Sequence, residues 1–346
     1  MTASRSDNPI LVPEADWELD GLLCAVTAVR EPDGNALRLY YLIRFSDSPT
    51  ENLLCVARSE DGRTWERPDL GSGDNVVMRS SGLTTEWGTF MPKRIIHEPT
   101  DELAPWKMIY WERPSEDAPV GICLASSADG LEWQPMSDRP LIDSANDAAS
   151  FTCAHPNHAK PIRNGSYLLY QQTWKYNPAL PVDRDNLERL HRRISLWYSP
   201  EFSMRTMSRG WVGPITILEP DAEDPPDLQH YWLTPFLTSS GYGGLLNCHH
   251  TTDQTMDVQY VTSRDGWEWK HELDRQPIVP LGGRGSFDCG MTFCICPPVK
   301  WKGETLLYYN GRATVHDAAL RYPDEPLPEP DNGIGLAISE DLDLLD

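Results

Sequence analysis

The sequence predicts an all-β fold, a five-bladed β-propeller of four-stranded antiparallel blades, and three observations predict it. A turn of the form Ser-x-Asp-Gly-x-x-Trp recurs at 59–65 (SEDGRTW), 127–133 (SADGLEW) and 263–269 (SRDGWEW), with degenerate copies at 339–342 (SEDL) and in YSPEFSMRTM from 198. The aspartates at 61, 129, 265 and 341, with the weak copy near 200, divide the 346 residues into five units of similar length. Thirty prolines and short apolar runs separated by turns leave no room for long helices.

Each unit reads alike. An apolar segment comes first. An aromatic-rich one follows (LRLYYLIRF, WKMIYWE, YLLYQQTW, TLLYYNG). Then comes a strand that ends in the Asp-Gly turn. Asp-Gly is a hairpin signal because Gly tolerates positive φ, and the Ser and Asp side chains can bond turn amides. The Trp that follows is expected to pack between neighbouring blades. An x-Pro-apolar strand closes the unit: RPDLG (67–71), RPLID (139–143), GPITIL (213–218) and QPIVP (276–280). The fifth unit stops at SEDLDLLD without this element, yet the chain begins with NPILVP (8–13). The N-terminal strand is therefore expected to complete the last blade, which removes two open sheet edges. The blades are read as 14–71, 84–143, 147–218, 227–280 and 285–346 plus 8–13, so that 1–346 is one domain.

The net charge of −22 and pI near 4.7 argue against nucleic acid and anionic membrane surfaces as partners. No apolar run approaches the ~20 residues that span a bilayer, and the N-terminus MTASRSDNPI has no apolar leader core. A soluble cytoplasmic protein is expected. Cysteines stand at 24, 55, 123, 153, 248, 289, 294 and 296, mostly inside apolar strand-like runs, and no C-x-x-C pair occurs. Buried free thiols are expected, not disulfides or a zinc ribbon.

In a propeller the first strand of each blade lines the central channel, and its start faces one mouth. The residues before those strands are acidic in every blade: Asp16, Glu18 and Asp20; Glu86; Asp147; Asp227; Asp288. Aromatic residues flank them, including Trp17, Trp87, Tyr231 and Phe287. Carboxylates among aromatic faces suit a sugar, whose C–H faces stack on rings while its hydroxyls bond to oxygens. Paired carboxylates also cleave glycosidic bonds, one as acid and one as nucleophile or base. The expected catalytic set is Glu18, Glu86, Asp147 and Asp288. Asp16, Trp17, Trp87, Arg94, His155, His230, Tyr231 and Phe287 are expected to bind a small-molecule carbohydrate or glycoside. Lys93, Arg94, Lys160 and Arg284 could meet a substrate carboxylate or phosphate. The segments 176–193 and 316–332 read as insertions over a face, candidates for a rim or a homodimer contact.

Five units, the W-E of Trp17-Glu18 before the first inner strand, the S-x-D-G-x-x-W hairpins and F-D-C-G-M at 287–291 together resemble the five-bladed glycoside hydrolase superfamily. That superfamily holds invertase/levanase-type fructosidases and arabinanase/β-xylosidase-type enzymes. The chain looks most like the glycosyl hydrolase family 32 N-terminal-like relatives within it. The resemblance implies a nucleophile or base at Glu18 or Asp16 and a stabilising carboxylate at Glu86, or at Glu98. For the acid, blade three offers Asp147 and no Glu. The invertase motifs N-D-P-N-G, R-D-P and E-C are absent. The resemblance also raises an axial Ca²⁺ with His155 and His230 nearby; otherwise no cofactor is expected. Two alternatives to a hydrolase stand beside it: a carbohydrate-binding propeller without catalysis, and a non-hydrolytic enzyme of secondary metabolism that reuses the pocket.

Overall fold

The structure, a computed structural model, describes residues 3–83, 90–99, 101–102, 104–146, 149–153, 167–180, 189–199, 211–340 and 342–345. Five antiparallel blades follow one another along it. The strands of blade one are Leu22–Arg30, Leu37–Arg44, Leu53–Ser59 and Val76–Arg79. Those of blade two are Met91–His97, Trp106–Glu112, Gly121–Ser127 and Ile142–Asp143. Blade three has Ala149–Cys153, Tyr167–Tyr176, Leu190–Ser199 and Val212–Leu218. Blade four has Leu228–Thr238, Gly241–His250, Met256–Ser263 and Pro277–Val279, with the short strand Trp269–His271 also paired to its third strand. Blade five has Met291–Phe293, Glu304–Arg312 and Asn332–Ser339.

The N-terminal segment supplies the fourth strand of blade five. Ser4 and Arg5 pair with Ile338 and Ala337, and the Ile10 amide donates to the Ile334 carbonyl. Closure thus begins at residue 4, earlier than the NPILVP reading. In blade one the outer strand is Val76–Arg79 and not RPDLG, whose Arg67 pairs with Glu18. Among the described residues no helix is long and apolar enough to cross a membrane. The described cysteines are free and buried.

Alternation along each strand builds the ring. In the second strand of blade one, Leu37, Leu39, Tyr41 and Ile43 join a cluster with Trp301, Leu306 and Tyr308 of blade five. Tyr40 and Leu42, on the other face, join Trp106, Met108 and Tyr110 of blade two. Three further clusters fill the two-three, three-four and four-five interfaces. Five apolar wedges, one per interface, include the one between the last blade and the first. Each blade hides both faces, which is why the strands read as near-continuous apolar runs.

The repeated turn has a specific docking partner. In SEDG the Ser59 hydroxyl accepts from the Gly62 amide at 2.8 Å, and Asp61 accepts from the amides of Arg63 and Thr64 at 2.7 Å. Ser127 and Asp129, and Ser263 and Asp265, repeat the pattern. This turns the glycine carbonyl outward, where a tyrosine hydroxyl from the preceding blade donates to it. Tyr308 donates to Gly62 at 2.8 Å, Tyr40 to Gly130 at 2.8 Å and Tyr170 to Gly266 at 2.9 Å. The Trp of the motif packs edge-on beside that tyrosine, as Trp133 does with Tyr40. The glycines sit at φ of 75° to 79°, and a Cβ on Gly130 would collide with the Tyr40 hydroxyl.

Removing that hydroxyl takes one of two donors from the Gly130 carbonyl, which the Trp133 indole still meets at 3.1 Å, so Tyr40→Phe is expected to cost about 1 kcal/mol. Gly130→Ala is expected to cost more, because it adds both strain and collision. Urea unfolding of the two variants checks this ordering; a Tyr40→Phe protein as stable as the wild type would assign the contact to ring packing alone.

Candidate active site

The inner strands converge on a central cavity of about 240 Å³. Inner-strand side chains wall it: Cys24 of blade one, Lys93 of blade two, Tyr231 and Trp232 of blade four, and Phe293 of blade five. Asn146, just before the inner strand of blade three, adds a polar edge. The ends of the second strands also reach in, through Arg44, Trp174 and Arg312. Arg192 and His316 complete one side.

The chemistry of this wall is cationic. Arg44, Lys93, Arg192 and Arg312 all line it, and among the described residues no Asp or Glu does. Lys93 and Arg192 are each only 1% exposed. Three of the cations lie against rings: Lys93 Nζ is 4.9 Å from the Trp232 ring centre, Arg192 is 5.0 Å from Tyr231, and Arg312 is 5.3 Å from Phe293. A ring face offsets part of the cost of desolvating a cation. Burial makes the Arg312 guanidinium easier to deprotonate than usual; the Cys24 sulfur 3.5 Å away opposes this, and Arg44 adds to it more weakly. A second layer orients the cations. Arg192 donates to Gln229 at 2.7 Å, and His316 Nε2 meets the Tyr231 hydroxyl at 3.0 Å. His249 stands behind them, 4.5 Å from His316 between ring centres, and burial holds it neutral well below the usual histidine range.

Several expected site residues lie elsewhere. Glu18 is fully buried and does not line the cavity. Arg67 grips it bidentately, Nε and Nη2 each at 2.8 Å, the Tyr41 hydroxyl donates at 2.6 Å, and the amides of Glu14 and Ala15 donate as well. Asp288 is also buried off the cavity: Arg5 lies 3.0 Å away, and Tyr309 and Ser286 donate at 2.8 Å. The structure places both acids at the ring closure and not on the cavity wall: Asp288 binds Arg5, and Glu18 accepts from the Glu14 and Ala15 amides. Asp16 is exposed, and Trp17 donates to Asn75 beside the first core cluster. Phe287 packs into the four-five interface.

Arg94 lines a separate pocket with His97 and Glu98 while Lys93 lines the central cavity, as neighbours along a strand face opposite ways. His230 likewise faces away from the axis while Tyr231 faces the cavity. Arg284 pairs with Glu325 and stacks on Tyr322 outside the channel. Glu86, Trp87, Asp147, His155, His158 and Lys160 lie outside the described residues. Glu98 accepts from Lys107 at 2.7 Å and from Tyr167.

The reading by sequence took Lys93 and Tyr231 into account but passed over Arg44, Arg192, Arg312 and His316. A signal for two of them was present: Arg44 and Arg312 each stand four residues after the docking tyrosine of their second strand, as Trp174 does after Tyr170. His316 begins a segment that reads as a surface insertion.

No family model matches the chain, and no curated protein matches it. Solved structures do. A β-1,2-mannobiose phosphorylase from Listeria innocua is 10% identical with a TM-score of 0.62, over 98% of this chain and 97% of that one. A glycosyl hydrolase from Bacteroides ovatus is 13% identical with a TM-score of 0.61, over 98% and 94%. A third structure, described under the GH130 family of mannoside phosphorylases containing glycoside hydrolases that target β-1,2 mannosidic linkages in Candida mannan, is 14% identical with a TM-score of 0.60, over 100% and 96%. The chain has the five-bladed propeller fold of these glycoside hydrolase-like structures. At such identities the likeness is one of fold.

The role of Glu18 is open to a direct measurement. Burial raises its affinity for a proton, but the bonds from Arg67 and Tyr41 outweigh burial and hold its pKa below the ordinary glutamate range. A depressed folded-state pKa gives stability that is complete above that range and lost as pH falls through the folded value. Glu18→Gln is expected to cost about 3 kcal/mol at neutral pH, as a buried pair loses one partner. The gap to wild type is expected to shrink on acidification, as read by urea unfolding at several pH values. A stable Glu18→Gln protein without turnover would return this residue to the catalytic set.

Proposed function

We propose that this chain is a glycoside-active enzyme whose central cavity receives an anionic group of its substrate, a carboxylate or a phosphate. The observation that carries the reading is the convergence of Arg44, Lys93, Arg192 and Arg312 on one cavity in a protein of net charge −22. Cations set against ring faces in a site screened from water bind an anion far more strongly than surface cations do. Trp174, Trp232 and Phe293 on the same wall suit the C–H faces of a sugar ring. The fold shared with hydrolases and phosphorylases of glycosides supports the same class.

The carboxylates for such chemistry are proposed to be Asp147 and Glu86. Asp147 directly follows the cavity residue Asn146, and Glu86 precedes the cavity residue Met91 by five positions. One would protonate the departing oxygen; the other would act on the anomeric carbon directly or through water. The cationic wall favours a second reading within the class. If the anion is inorganic phosphate, it would itself be the nucleophile, and a single carboxylic acid would suffice.

The test uses nitrophenyl glycosides of uronic acids and of neutral sugars, with and without inorganic phosphate. Turnover is expected on acidic glycosides, or on neutral ones only with phosphate and with a sugar 1-phosphate as product. Arg44→Ala and Arg312→Ala are expected to raise KM for the anionic partner roughly tenfold or more each. Asp147→Asn or Glu86→Gln is expected to lower kcat about 10²-fold or more with KM little changed. Calorimetric binding of an acidic sugar without turnover of any substrate would instead make this a carbohydrate-binding propeller. Turnover of neutral glycosides alone, indifferent to both arginines, would sink the anionic reading.

A further inference from the structure

A cluster of metal-ligating side chains lies away from the central cavity, and the proposed function makes no use of it. Asp224 sits in the connection from blade three to blade four, His230 on the inner strand of blade four, and His271 on the short strand Trp269–His271. One ligand-type atom from each lies within 4.8 Å of the other two. We propose that Asp224, His230 and His271 bind a nitrogen-preferring divalent cation such as Zn²⁺, which ties the blade-three connection to the outer part of blade four.

Three independent features support this. First, His230 is fully buried, and neither ring nitrogen makes a hydrogen bond; the Leu218 carbonyl acts on it only from outside bonding geometry. A buried imidazole left this way is costly unless something accepts its lone pair. Its Nε2 faces Asp224 Oδ2 at 3.9 Å, about half an ångström beyond the separation of two tetrahedral zinc ligands, so a small inward shift of either side chain would complete the pair.

Second, His271 is already oriented. Its Nδ1 donates to Gln259 Oε1 at 3.1 Å, which leaves the Nε2 lone pair for coordination. A carbonyl-type acceptor on the far nitrogen is the usual support of a ligating histidine.

Third, the charge is complementary. Arg275 donates to Asp224 Oδ1 at 2.8 Å and also pairs with Asp221 and Glu223. One positive charge against three negative ones leaves a local charge of −2 while the histidines are neutral. Asp224 Oδ2 accepts from the Asp221 amide at 3.0 Å, which fixes the carboxylate and turns this oxygen toward His230.

Two imidazoles and one carboxylate select Zn²⁺ or a similar transition ion. They select against Ca²⁺, which takes six or more oxygens. Since His271 is only half-buried, a fourth position is open to water or to an incoming ion.

The experiment is metal binding to the full chain after chelator treatment. One Zn²⁺ per chain is expected by equilibrium dialysis with elemental analysis, along with a rise in thermal midpoint that Ca²⁺ does not produce. His271→Gln changes a half-exposed side chain and is expected to weaken Zn²⁺ at least tenfold; Asp224→Asn is expected to do likewise. Wild-type protein loaded with Co²⁺ gives a second readout that needs no variant. A four- or five-coordinate visible spectrum without a thiolate charge-transfer band supports the site. Absence of stoichiometric Zn²⁺, affinity unchanged in folded His271→Gln, or a thiolate band showing that the eight cysteines hold the ion would each overturn it.

Discussion

The hydrogen bond from a second-strand tyrosine to the glycine carbonyl of the next blade's turn is the contact on which the ring depends. It is made at the five-one, one-two and three-four interfaces with nearly the same length. Apolar wedges supply most of the free energy between blades, but they are adaptable and tolerate small rotations. A buried hydroxyl with one acceptor does not. It fixes how far one blade is turned against the next. It also fixes where the second strand ends, and four residues on, ~13 Å along that strand, Arg44, Trp174 and Arg312 enter the central cavity. The device that sets the blades therefore also sets part of the cavity wall.

Closure imposes a second constraint, which accounts for the fate of two acids. The N-terminal segment must lie along blade five and then cross to blade one. Arg5 is held by Asp288 at blade five, and Glu18 is held by Arg67 and Tyr41 at blade one. Glu18 in turn accepts from the backbone of Glu14 and Ala15, which shapes the crossing. A fully buried carboxylate with several donors is well placed to fix a chain segment and badly placed to attack a substrate. Its bonds would have to break for it to act.

Excess acid on the outside and basic groups at the centre are compatible because they occupy different dielectric environments. Surface carboxylates are solvated and screened within about 8 Å at physiological salt. The cavity cations lie in low dielectric against aromatic faces, so they dominate the local potential despite the net charge. A charge total describes solubility and encounter; it does not describe the sign of a recessed site.

The sequence by itself determined the architecture. The Ser-x-Asp-Gly spacing and the second-strand aromatics are local patterns with local causes, and blade number, strand order and N-terminal closure follow from them. It also marked Lys93 and Tyr231, which the cavity contains. What only the tertiary structure decided is which way each neighbouring side chain faces and what it meets there. Tyr231 enters the cavity while His230 turns toward Asp224, and Lys93 enters while Arg94 leaves. Glu18 and Asp288 stand before inner strands as channel acids would, but their partners, Arg67 and Arg5, are 49 and 283 residues away in the chain. An acid's role is set by the charge and solvent around it, and in a ring closed by its own first residues those neighbours come from distant parts of the chain.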